Sequence, residues 1–150
     1  MLEKKISESL KRALKERDHV ALSVLRLMVS EIKNHKIANM IKEELPDDDV
    51  LAVLTKMAKR YRESIESFEK GSRPDLVRKE KEELGFLSSF LPPPLNDEEV
   101  ENMVEDVIRD MGASSMKDLP SVMKEAMARS GGRADGRVIS GKVREKLGGA

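Results

Sequence analysis

The sequence predicts an all-α fold, and three observations carry that reading. Apolar residues recur at intervals of three and four along the 150-residue chain, the period of one face of a helix. Alternation with a period of two is hard to find anywhere. Residues that favour strands are scarce: aromatics make up 3% of the chain, as Tyr61, Phe68, Phe86 and Phe90, and Thr55 is the only threonine.

Leu2, Ile6, Leu10 and Ala13/Leu14 set the stripe of a first helix ending near Arg17 and Asp18. Asp18 can cap the next helix by accepting from its free amides. That second helix carries Val20, Leu22, Val24, Leu25, Leu27, Met28, Val29 and Ile32, apolar over more than one face, and is expected to be the most buried element. Its pattern continues through Ile37, Met40 and Ile41 toward Pro46, a residue that forces its predecessor out of the α region. Asp47, Asp48 and Asp49 then open a third helix, where carboxylates suit the unpaired amides and the positive end of the dipole better than they suit a metal. Val50, Leu54, Met57, Tyr61, Ile65 and Phe68 continue it to a stop at Gly71.

Pro74 fits the first turn of a fourth helix that runs past Leu76, Val77, Leu84 and Leu87 to Leu91. The Pro92-Pro93-Pro94 run marks the best boundary in the chain. Beyond it Asn96 and Glu99 form a capping box for a fifth helix through Val100, Met103, Val104, Val107, Ile108 and Met111, closed by Gly112. A sixth helix is expected around Asp118 to Arg129, and a seventh around Gly136 to Leu147. The organisation is therefore a four-helix N-terminal unit over residues 1–91, a proline-rich linker over 92–95 and a three-helix C-terminal unit over 96–150.

Composition excludes several functions. Lys plus Arg and Asp plus Glu both number 28, so the formal charge is zero while 37% of residues are charged. No apolar run approaches the roughly 20 residues of a membrane-spanning helix, and residues 1–6 lack the hydrophobic stretch of a signal peptide. Cysteine is absent, which removes disulfides, thiol catalysis and cysteine-ligated metals, and agrees with a reducing compartment. A cytoplasmic protein is expected. His19 and His35 stand sixteen residues apart without a paired partner, so no metal site and no histidine-based triad is expected. The chain has no phosphate-cradling glycine loop and no nucleophile elbow. Ser88-Ser89 and Ser114-Ser115 read as helix-end residues.

Several segments together are more specific than any alone: Leu25-Arg26-Leu27 with Glu31-Ile32-Lys33-Asn34, the run Tyr61 to Gly71, Glu83-Leu84 with Phe90-Leu91-Pro92, and Gly132-Arg133-Ala134-Asp135-Gly136-Arg137. In their order and spacing the chain resembles the YqeY family over almost its whole length. It departs from that pattern at Leu119 to Met123, where a glycine and a lysine are usual before the Val-Met pair, and at Phe90, where a tyrosine is usual. The resemblance implies an all-helical protein similar to the tail of the B subunit of glutamine-dependent aminoacyl-tRNA amidotransferase, a tail associated with tRNA. It also implies carbon–nitrogen ligase activity with glutamine as amide donor. The isolated chain shows no residues for that chemistry, so such activity is expected only within a complex, and no cofactor is implied.

Neutral net charge hides an internal separation. Between Asp97 and Asp110 seven acids face one base, and between Arg129 and Lys146 six bases face two acids. A basic patch on the last helix would favour phosphates. The candidate nucleic-acid-binding residues are Arg129, Arg133, Arg137, Lys142 and Arg144, because guanidinium groups fork phosphate oxygens. The amides at the start of the last helix could also hold an anion, but Asp135 is placed to cap them itself. With no aromatics among these bases, backbone contact rather than base stacking is expected. The leading expectation is an accessory protein that binds tRNA or a tRNA-enzyme complex through its C-terminal unit. The alternative is a protein–protein module for an aminoacyl-tRNA synthetase or amidotransferase subunit.

Overall fold

A computed structural model describes residues 1–148; the last two residues of the expected C-terminal unit lie outside it. Among the described residues there are seven α-helices and no strand: α1 Leu2–Glu16, α2 His19–Ala38, α3 Asp47–Lys70, α4 Pro74–Ser88, α5 Asp97–Met111, α6 Leu119–Ser130 and α7 Gly136–Leu147, with a short 3-10 turn Met116–Asp118 before α6. The chain divides into two compact units, one ending at Leu91 and one beginning at Pro92.

In the first unit α1 packs along α2, and α3 packs along α4, with α2 also in contact with α3 and α4. Their shared core is built on Ile6, Leu25, Met28, Leu54 and Leu87, each fully buried. Full burial of such a side chain contributes about 1.5–3 kcal/mol. The most buried helix is α3 rather than α2. It contributes seven buried residues against five, whereas α2 leaves Leu27 and Ile37 exposed. The broad apolar distribution of α2 thus covers surface as well as core.

Two helices stop earlier than their apolar patterns. α2 ends at Ala38, and Met40 takes a left-handed φ of 55°. Met40 N donates to Ile37 O at 3.2 Å and Ile41 N to Lys36 O at 2.9 Å, the paired bonds of a Schellman closure. The Asn39 side chain adds a bond to His35 O at 2.8 Å, so the closure wins before Pro46 is reached. α4 ends at Ser88 rather than Leu91. Ser89, Phe90 and Leu91 each donate backbone N–H groups three residues back, and the Ser88 and Ser89 hydroxyls donate to Leu84 O and Phe86 O. Those side-chain bonds compete with continued α-helix and tighten the exit. Phe90 remains on the core margin, edge-on to Phe86 with ring centroids 5.6 Å apart.

The second unit packs α5, α6 and α7 against one another around Val100, Val104, Val107, Val122, Ile139 and Val143. Asn96 Oδ1 accepts from Glu99 N at 2.8 Å while Glu99 Oε2 accepts from Asn96 N at 3.3 Å, the expected capping box. Gly112 closes α5 at φ 63°. The proline segment expected as a linker belongs to this unit: Leu95 packs on its core and Leu95 N donates to Arg133 O at 2.8 Å.

Left-handed backbone at a residue with a Cβ costs about 1–2 kcal/mol, and the Met40 side chain is exposed, so little packing is lost by removing it. Met40→Gly should raise unfolding stability by about 0.5–1 kcal/mol, allowing for the extra freedom of glycine in the unfolded chain. Denaturant titration checks this; a loss of stability would show that the Met40 side chain holds the closure.

Candidate functional site

The basic helix expected at the C-terminal end of the chain is α7. Asp135 Oδ1 accepts from Arg137 N at 2.8 Å, so the cap takes a helix-start amide that an anion would need. Ile139, Val143 and Leu147, spaced by four, turn one side of α7 inward. That register leaves Arg137 and Arg144 exposed and Lys142 half-buried. Seven residues are close to two full turns, so Arg137 and Arg144 share one side of α7, about 10.5 Å apart along its axis. Ser140 and Gly141 lie between them, and a Cβ added at Gly141 would meet nothing within 4 Å. Arg144 Nε donates to Ser140 Oγ at 3.2 Å.

The remaining bases of the segment have other engagements. Arg129, at the end of α6, contacts Glu125 Oε1 through Nε at 2.9 Å and Asp110 Oδ2 through Nη1 at 3.0 Å. Both carboxylates hold its guanidinium above its ordinary pKa, Glu125 the more strongly. Arg133 Nε donates to Pro93 O at 2.9 Å, tying the proline segment to the turn before α7. Lys146 bridges Glu105 at 2.8 Å and Glu101 at 2.9 Å. These contacts raise the Lys146 pKa, Glu105 first, and lower that of Glu101, on which Lys142 also acts. Of the five expected site residues, the structure therefore groups Arg137, Lys142 and Arg144 on α7, places Arg133 on a backbone carbonyl at its foot, and joins Arg129 to two carboxylates.

A second polar feature escaped the sequence reading. A cavity of about 200 Å³ opens between α2, α3 and α4 in the N-terminal unit, with Tyr61, Glu80 and Glu83 in its wall. Glu83 is 6% exposed, the one buried charged side chain among the described residues. Its Oε1 accepts from Ser23 Oγ at 2.9 Å. Tyr61 is 7% exposed, and its buried Oη makes no hydrogen bond. Burial pushes the phenol pKa well above its ordinary value, helped by the charges of Glu83 and Glu80. The interaction with Glu83 is thus electrostatic, short of a well-formed hydrogen bond. Burial, then the Glu83 charge, also raises the Glu80 carboxyl. Tyr61 reads in sequence as one more member of an apolar stripe, and only the approach of α4 brings Glu83 to it. Among the described residues, no group of three or more histidines, cysteines or carboxylates is placed to hold a metal ion, and no helix is long and apolar enough to cross a membrane.

The sequence pattern that defines Yqey-like proteins matches residues 3–147. The chain belongs to the YqeY family. It is similar to altered inheritance of mitochondria protein 41, mitochondrial, of Pyrenophora tritici-repentis, with 26% identity over 96% of this chain and 80% of that protein. The protein of the same name from Kluyveromyces lactis is 27% identical over 93% of this chain and 72% of its own length. An uncharacterized protein of Schizosaccharomyces pombe is 36% identical over 58% of this chain and 69% of its own.

An orphaned buried hydroxyl costs about 1–3 kcal/mol, so Tyr61→Phe should leave unfolding stability unchanged or raise it by about 1 kcal/mol. The raised phenol pKa has a further consequence. In the unfolded chain Tyr61 ionises near 10.0, and in the folded chain it stays neutral above that, so its share of stability is complete below pH ~10 and falls as pH rises beyond it. With one tyrosine in the chain, phenolate absorbance between pH ~10 and ~12 should appear together with unfolding. Phenolate absorbance in a chain that remains folded would contradict the assignment.

Proposed function

We propose that the protein is a helical accessory factor that binds the phosphate backbone of structured RNA, tRNA above all, through the outer side of α7. The observation supporting this reading is the pair Arg137 and Arg144, exposed on one side of a helix and separated by small residues that let a backbone approach closely. Two arginines whose positions are about 10.5 Å apart along the helix axis can fork separate phosphates, and Lys142 adds charge beside them. The YqeY resemblance, carried jointly by several segments of which Gly132–Arg137 is one, implies similarity to amidotransferase tails associated with tRNA and supports tRNA as the polyanion. The cytoplasmic setting expected from composition and the mitochondrial one in the relatives' names both suit a tRNA ligand, so the reading does not depend on the choice.

A second reading has an observation of its own. Between α1 and α2 runs a cavity of about 350 Å³ whose wall combines Ile6, Val29, Ile32, Ile37 and Ile41 with the charged Glu3, Lys33 and Lys36. Of these Ile37 is 66% exposed. Such a feature would suit an apolar side chain of a synthetase or amidotransferase subunit. This surface belongs to the N-terminal unit, so it is separable from α7 by mutation.

Bulk tRNA should shift the protein in native gels, with affinity falling on added salt at a log–log slope of about −2 to −3, as three cations imply. Arg137→Glu combined with Arg144→Glu should lower the affinity at least about tenfold and flatten the slope, at unchanged melting temperature. Unchanged affinity in the double variant would reject the α7 site. No shift with tRNA, together with binding of a synthetase or amidotransferase subunit that is lost on mutation at Ile37, would favour the second reading.

A further inference from the structure

A carboxylate removed from water is ordinarily paired with a cation or satisfied by several hydrogen bonds. Glu83 has neither among the described residues: it is 6% exposed and its one hydrogen bond is from a neutral hydroxyl, Ser23 Oγ at 2.9 Å. The Arg60 guanidinium in the same cavity wall is already engaged by Glu31, Nη2 to Oε2 at 3.1 Å. Tyr61 Oη, buried beside Glu83, makes no hydrogen bond. Ser64 and Glu80 complete the polar wall, while Leu27 and Met57 supply apolar surface. The cavity thus lacks one thing on two counts: a positive charge for Glu83 and a hydrogen-bond donor for Tyr61 Oη.

We infer that this cavity between α2, α3 and α4 binds a small aliphatic amine, its ammonium group received by Glu83, Glu80 and Tyr61 Oη and its carbon chain lying on Leu27 and Met57. An ammonium has three donors and no acceptor, which matches two carboxylates and a phenol oxygen; the phenol proton is then free to point to Glu83. At about 200 Å³ the space is smaller than the roughly 300–1,000 Å³ of sites for drug-sized ligands, in keeping with one short chain rather than a nucleotide or cofactor. The site lies in the N-terminal unit and does not rest on the RNA reading of α7.

Tyr61 is the only tyrosine and the chain has no tryptophan, so intrinsic fluorescence reports this cavity alone. Titrating the full chain with n-butylammonium chloride should give a saturable change in that fluorescence in the millimolar range or tighter. Tetramethylammonium, which carries the charge without N–H donors, and sodium chloride at equal ionic strength should not. Glu83→Gln should weaken binding at least about tenfold. Because Glu83 is buried, Glu80→Gln serves as a second variant whose folding is not at issue, and it should weaken binding about threefold or more. Tyr61→Phe, followed by calorimetry, should bind more weakly than the parent. No saturable response, an equal response to tetramethylammonium, or full affinity in both Glu variants would overturn the inference. Much tighter binding of N-acetyl-lysine amide than of butylammonium would overturn the free amine as occupant in favour of a lysine side chain.

Discussion

Which charges already have a partner governs what this chain can hold, because an ion in or near a protein interior is stable only against an opposite charge or a full set of hydrogen bonds. In the C-terminal unit the carboxylates of α5 do most of this pairing. Glu101 and Glu105 take Lys146, and Asp110 takes Arg129 with the help of Glu125. A segment that is strongly basic in sequence is therefore reduced to a narrower cationic side on α7. In the N-terminal unit the imbalance has the opposite sign, since Glu83 is enclosed with a single neutral partner. The two candidate sites, an exposed pair of arginines on α7 and an enclosed glutamate on α4, call for ligands of opposite charge.

The fold sets both through helix register. In α7 the spacing of Ile139, Val143 and Leu147 fixes the inward side, so the position of Arg137 and Arg144 follows from the burial of valine, isoleucine and leucine rather than from any interaction of their own. In α3 the stripe that buries Leu54, Met57, Ala58 and Ile65 also buries Tyr61, although its hydroxyl finds no partner there. A phenylalanine would pack equally well without that penalty. The burial of a tyrosine and a glutamate side by side is what local stability would not select, and unsatisfied buried polar groups of this kind call for an explanation.

What was legible in the sequence was what local chemistry decides. The Asn96–Glu99 capping box, the Asp18 cap and the Asp135 cap are made between residues two or three apart, and all three could be read directly. The end of α2 could not, because its left-handed position is held by Met40, where glycine would have announced it; Ser72 at φ 55° does the same after α3. The early exit of α4 depends on serine hydroxyls returning to the backbone, a choice that an apolar pattern does not encode. Arg129 reads as a free base until the turn between α5 and α6 brings Asp110, nineteen residues away, within 3.0 Å. Glu83 and Ser23 are sixty residues apart and meet only through tertiary packing, so although Tyr61 and Glu83 each open a segment that carries the family resemblance, nothing in the chain showed that they share a cavity.

The central claim is that the outer side of α7, where Arg137 and Arg144 are exposed, is the proposed RNA-binding surface. The most direct measurement is a residue-by-residue NMR titration of the full chain with tRNA at low salt. The account predicts that signals of Arg137, Ser140, Gly141 and Arg144 move first and furthest, while the side-chain signals of Arg129 and Lys146 stay in place. Perturbations centred on Arg129 and Lys146, or on the lysines of α1, would contradict it.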